Sequence, residues 1–160
     1  MQAQQALPVD EVNRDLVQTC VFGMGLLCLK MPAETFPLAN VFSTIEWIYA
    51  QDFKTESGKR AECCENATST FGKCIYFHGA NLSADIAARG FFDRLPLTTD
   101  TEEAQPTHKM LMQQIIARNA NLVRPELLTS LQNAVQRIKE TSDSRPDLEI
   151  LDDEGKALLA

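Results

Sequence analysis

A mainly α-helical fold is what this sequence predicts: a single irregular or orthogonal bundle of about five helices. Three observations carry that reading. Apolar residues recur at helical spacing from Leu38 to Phe53, and again from Leu127 to Ile138. Prolines at positions 32, 37, 96 and 125 stop or start the segments between them. The chain has 160 residues, 44% of them apolar, which matches one ordinary domain able to bury its own core without a metal or a disulfide.

Residues 1–8 form a Gln/Ala lead-in that is expected to fray. Asp10 then fits a helix N-cap, and the first helix is expected to run to about Lys30, stopped by Pro32. Its second half (Val21, Phe22, Met24, Leu26, Leu27, Leu29) is apolar on every side, the pattern of a central buried helix. A buried strand over 20–29 is the alternative. Gly23 and Gly25 weaken the helix and suit the close approach of a neighbour, within the chain or across a dimer. The second helix follows Pro37, with Leu38, Val41, Phe42, Ile45, Ile48, Tyr49 and Phe53 in one stripe and Trp47 opposite it.

Residues 54–60 read as a loop, and 61–82 as the least legible stretch. Ala61 to Asn66 fits a helical turn or two. Lys73 to His78, bracketed by Gly72 and Gly79, fits a strand in a short β-hairpin or a short buried helix. Ser83 caps a helix to about Arg94, and 96–106 reads as a loop open to proteolysis. Two more helices follow, about Thr107–Leu122 and Pro125–Glu140, joined in an angled hairpin at Val123-Arg124. After Thr141 the composition turns polar and acidic. The domain reading is therefore a helical body over 9–141 and a flexible acidic tail over 142–160.

The net charge is −7, with more than half of the excess in that tail. Such a field repels phosphate, so no nucleic-acid partner is expected, and Lys59-Arg60 is too short for a phosphate track. The longest apolar run, Cys20 to Leu29, is too short for a bilayer, which needs about 20 residues of helix. Acidic residues precede that run, unlike the basic start of a signal peptide. Five cysteines without framework spacing suit reduced thiols, so a cytoplasmic location is expected.

Cys63, Cys64, Cys74 and His78 form the one metal-like constellation. Adjacent Cys63 and Cys64 diverge on either a helix or a strand, so Cys64, Cys74 and His78 are the most a zinc ion could take. A Cys74–His78 nucleophile and base pair is the thiol-enzyme version of the same residues. His108 reads as a surface residue at a helix start. Glu102-Glu103 and Asp152-Asp153-Glu154 read as solvated loop and tail acids. No phosphate-binding glycine loop occurs, and no cofactor is expected. Asn66 and Asn81 begin glycosylation patterns that matter only in a secreted chain.

Trp47 is the candidate partner anchor. Leu148, Ile150 and Leu151, with Leu158 and Leu159, are apolar residues among acids, the look of a segment that orders on a partner's groove. The expected function is a non-enzymatic protein-binding module: an adaptor, a secretion or effector chaperone, or an immunity-type protein. Its partner would be another protein, with a homo-oligomer through the glycine-bearing segment as an extension. The alternative is a structural subunit of a larger assembly, viral or membrane-associated. A third reading is a zinc- or thiol-dependent enzyme.

Overall fold

A computed structural model of the chain describes residues 11–50 and 59–159, with side chains from 15–50 and 61–159. Within them lie seven α-helices: α1 Glu11–Cys28, α2 Leu38–Ala50, α3 Lys59–His78, α4 Ala84–Gly90, α5 Thr101–Ile116, α6 Leu128–Ser144 and α7 Asp153–Leu159. Short 3-10 turns join several of them, and no strand occurs among the described residues. The mainly helical expectation holds; the helix count is higher, and the hairpin at 73–78 is instead the end of α3. Of the stretch 54–60 expected as a loop, Lys59 and Arg60 open α3, and residues 54–58, like Phe53, lie outside the described residues. No helix among the described residues is long and apolar enough to cross a membrane.

The centre of the fold is α3, the segment least legible in sequence. Every residue from Asn66 to Tyr76 is buried, because α1, α2, α4 and α5 all pack around it. Such a helix can be polar only if each polar group finds a partner. Thr70 Oγ1 donates to Val21 O at 2.9 Å, and Asn66 Nδ2 donates to Asp100 Oδ2 at 3.0 Å. Thr68 Oγ1 donates to Cys64 O at 2.8 Å and meets the Tyr49 hydroxyl at 3.1 Å. Ser69 Oγ donates to Glu103 Oε1, and Lys73 Nζ reaches the same oxygen at 3.0 Å. Small residues keep the helix thin: a Cβ on Gly72 would strike the Phe91 ring, and one on Gly90 would strike the Phe71 ring.

The all-round apolar α1 was expected at the centre and lies at the edge. One face (Val21, Gly25, Cys28) is buried against α3. The opposite face leaves Leu16 61%, Leu26 47% and Leu27 53% exposed. Apolarity on every side told only that both faces avoid charge, not that both are covered. In α2 the expected stripe seats Val41, Ile45 and Ile48 in the core.

The 96–106 loop is mostly helix. Asp100 caps α5, its side chain accepting from Glu103 N at 3.2 Å, and Glu102 and Glu103 sit in the first turn where the helix dipole favours acids. Pro106 lies inside the helix rather than before it. The few residues before Asp100 are pinned too: the Glu65 carboxylate accepts from the backbone N–H of Thr98, Thr99 and Asp100 at 2.7–3.1 Å. A pinned segment of that kind is a poor protease site. Ser83 does cap α4, accepting from Ile86 N at 3.3 Å.

The flexible tail is corrected as well. Helix α6 continues to Ser144, and the residues after it fold back along α5. Three successive carbonyls of that return bond to one edge of α5. Thr101 Oγ1 donates to Leu148 O at 3.4 Å, Gln105 Nε2 to Glu149 O at 2.7 Å, and His108 Nδ1 to Ile150 O at 2.9 Å. Ile150 and Leu151 are 2% exposed, and α7 then docks on α5. The acids there have bases to meet: Lys109 Nζ lies 2.8 Å from Asp152 and 3.2 Å from Glu154.

Candidate functional site

The zinc candidates do not converge. Cys64 and Cys74 sit ten positions apart on α3, which at 1.5 Å per residue separates them by about 15 Å along the axis. His78 is committed elsewhere: its Nε2 lies 2.9 Å from Cys28 O, and its ring stacks on Phe36 at 4.4 Å. Among the described residues, no group of three or more Cys, His, Asp or Glu could hold a metal ion. The thiol chemistry is muted too. A hydrogen bond with the Cys28 thiol, together with burial, holds the Cys74 thiol well above its usual range, and burial raises that of Cys64. A raised thiol pKa means little thiolate, and thiolate is the nucleophile.

The partner candidates separate. Trp47 packs half-buried against the core from α2, which rests on α3. Ile150 and Leu151 are buried in the core and Leu148 packs half-buried against it, so the segment lies on its own chain. The structure does not bring them together with Trp47.

What sequence reading missed is a groove. Helix α7 packs on α5, and α6 stands across from both. Between them runs a groove of about 530 Å³. Met112, Ile115 and Ile116 line it from α5, Leu128, Leu131 and Val135 from α6, and Leu158 and Leu159 from α7; Gln132 and Gln136 are its polar lining residues, and no charged residue takes part among the described residues. Ile116 is 63% and Leu128 41% exposed at its rim. The two leucines assigned to a tail that would seek a groove thus help to build one. The stripes themselves were visible: Ile115 and Ile116 on one helix, Leu128, Leu131 and Val135 on the next. Their failure to close on each other was not, because α7 takes the place beside α5.

His108 holds this arrangement, and it is buried rather than on the surface. Its Nε2 accepts from Leu97 N at 3.1 Å, so the ring proton sits on Nδ1 and is donated to Ile150 O. One imidazole thereby ties α5 to the turn before it and to the returning C-terminal segment. The ring must be neutral to do so. Burial lowers its pKa from 6.5 to about 4, the bond to Ile150 opposing this only in part.

Comparison with family models, with curated proteins and with solved structures finds no match. The reading of the groove therefore rests on its own geometry.

The lowered His108 pKa has a sign that can be worked out. The unfolded chain binds the proton below pH 6.5 and the folded chain only below about 4. This contribution to stability is complete above pH 6.5, falls as pH drops through the window, and is gone below about 4, a total of about 3 kcal/mol. Urea unfolding followed by circular dichroism at several pH values should show that fall. His108→Gln should start less stable and lose distinctly less across the same window. Equal slopes for the two proteins would dismiss the assignment.

Proposed function

We propose that this protein is a non-enzymatic protein-binding module that receives an amphipathic helix of a partner in the groove between α5, α6 and α7. The observation that carries this is the groove's uncharged lining, open at Ile116 and Leu128. Apolar side chains at i, i+3 or i+4, and i+7 of an incoming helix would fill such a groove, and Gln132 and Gln136 offer polar contacts at its α6 wall. No disulfide joins the cysteines among the described residues, which suits a cytosolic setting. A zinc-dependent enzyme has no converging ligand set among the described residues, and the raised pKa values of Cys64 and Cys74 disfavour the Cys74–His78 thiol chemistry.

The test is a selection of helical peptides displayed on phage against the immobilised protein. Enriched sequences should share an apolar stripe at helical spacing. Their affinity, read by fluorescence anisotropy, should fall at least about tenfold for Ile116→Glu combined with Leu128→Glu, since a charge there meets only apolar surface. Both residues are exposed, so the circular dichroism spectrum should not change. Enriched peptides that bind the double variant equally well would place the binding surface elsewhere, and no enrichment at all would remove the proposal.

A further inference from the structure

The two glycines of α1 serve different neighbours. A Cβ on Gly25 would come within 2.8 Å of Thr70 Oγ1 and 3.3 Å of the Lys73 side chain, so Gly25 lets α1 lie close on α3. A Cβ on Gly23 would meet nothing within 4 Å. No contact among the described residues asks for a glycine there, although glycine costs a helix about 1 kcal/mol relative to alanine.

Gly23 sits in the middle of the outward face. Leu16, Cys20, Gly23 and Leu27 follow at spacings of four, three and four, and at 100° per residue they form one narrow stripe. Leu16 and Leu27 are 61% and 53% exposed, and Cys20 is exposed. The spacing reads the same in both directions. A second α1 laid antiparallel puts Leu16 against Leu27 of the other copy and Cys20 against its Gly23, and the two-fold axis repeats both pairs. The missing side chain at Gly23 is then where two helices can come close.

Charge selects the same direction. Asp15 is exposed near the N-terminal end of the stripe and Lys30 just beyond its C-terminal end. Antiparallel copies bring each Asp15 toward the other copy's Lys30, whereas parallel copies would set like charges side by side.

We propose that two copies of this chain pair through the outward face of α1, antiparallel about a two-fold axis, with Gly23 near the crossing. The contact is self-complementary, as a two-fold interface must be. One helix face from each copy makes a small interface, so the dimer is of micromolar rather than nanomolar strength.

Sedimentation velocity of the full chain, from low to high micromolar, tests it. The wild type should pass from monomer to dimer. Leu27→Glu should stay monomeric with an unchanged circular dichroism spectrum, since Leu27 is exposed in the single chain. Asp15→Lys and Lys30→Asp should each weaken the dimer by about tenfold, and the double exchange should restore it. A wild type that is monomeric throughout overturns the proposal, and so does a dimer indifferent to Leu27→Glu. A dimer that Leu27→Glu breaks but that the double exchange does not restore would refute the antiparallel arrangement. The groove variant Ile116→Glu combined with Leu128→Glu should dimerise like wild type, which separates this surface from the groove.

Discussion

Glu103→Ala is expected to lower stability by about 3–5 kcal/mol, the usual cost of stranding one half of a buried ion pair. Lys73 and Glu103 have side chains only 11% and 8% exposed. Glu103 Oε1 takes both the Lys73 ammonium and the Ser69 hydroxyl, and so neutralises the one cation in the buried run of α3. Removing it leaves that ammonium, among the described residues, with the Phe22 ring 5.8 Å from Nζ. For a chain of this length the loss should lower the thermal midpoint by roughly 10 °C or more. Lys73→Met strands the carboxylate instead and should also destabilise. Lys73→Met with Glu103→Leu removes both charges and keeps the volume, so it should be more stable than either single variant. Urea unfolding of wild type, Lys73→Met, Glu103→Leu and the double variant measures the coupling. A Glu103→Ala loss below about 1 kcal/mol would mean that water reaches the pair and that α3 is less enclosed than described.

The same pair shows why the centre of the fold was hard to read. Hydrophobic periodicity reports helices whose polar side meets water, and α2 is such a helix: Val41, Ile45 and Ile48 announced it. In α3 the polar side meets protein. Thr70 is answered by Val21, Asn66 by Asp100 and Ser69 by Glu103, partners far along the chain that no local window contains. The converse error arose in α1, where apolar residues suggested burial but half of them face outward. Some misses had local signals. Asp100-x-x-Glu103 has the spacing of a capping pair and marks the true start of α5. His108 shares a helical face with Ala104, Leu111 and Met112, all buried, which points it inward. Of the groove, the individual walls were legible and their separation was not. That depends on where α7 docks, which is set by the ion pairs of Lys109, by the bonds from α5 to the backbone of 148–150 just before it, and by Leu158 and Leu159 packing against the core.

Phe91→Ala should cost about 3–5 kcal/mol, because the ring is fully buried and its site cannot collapse. Tyr76 lies edge-on to it at 5.9 Å and Phe92 tilts against it at 5.3 Å. The third wall is Gly72, on which a Cβ would fall 2.5 Å from the Phe91 ring. Two effects therefore compete in Gly72→Ala. Helix propensity favours alanine by about 1 kcal/mol, while overpacking a full core costs about 1–3 kcal/mol. With Phe91 boxed in by Tyr76 and Phe92 the ring cannot step aside, so the net effect should be a loss. In the Phe91→Ala background the obstacle is absent and the added methyl fills part of the cavity, so the same Gly72→Ala change should turn stabilising. That reversal of sign is the expected result of a double-mutant cycle followed by thermal or urea unfolding, with a coupling of roughly 2 kcal/mol. The reciprocal contact, Gly90 under the Phe71 ring, should behave alike, because there too a glycine on one helix accepts an aromatic ring from the other. Strict additivity at Gly72 and Phe91 would show that α3 and α4 are not interlocked at this point, and that α4 is held mainly by the Tyr49 hydroxyl on Gly90 O at 2.9 Å and by Arg124 on Leu82 O at 2.9 Å.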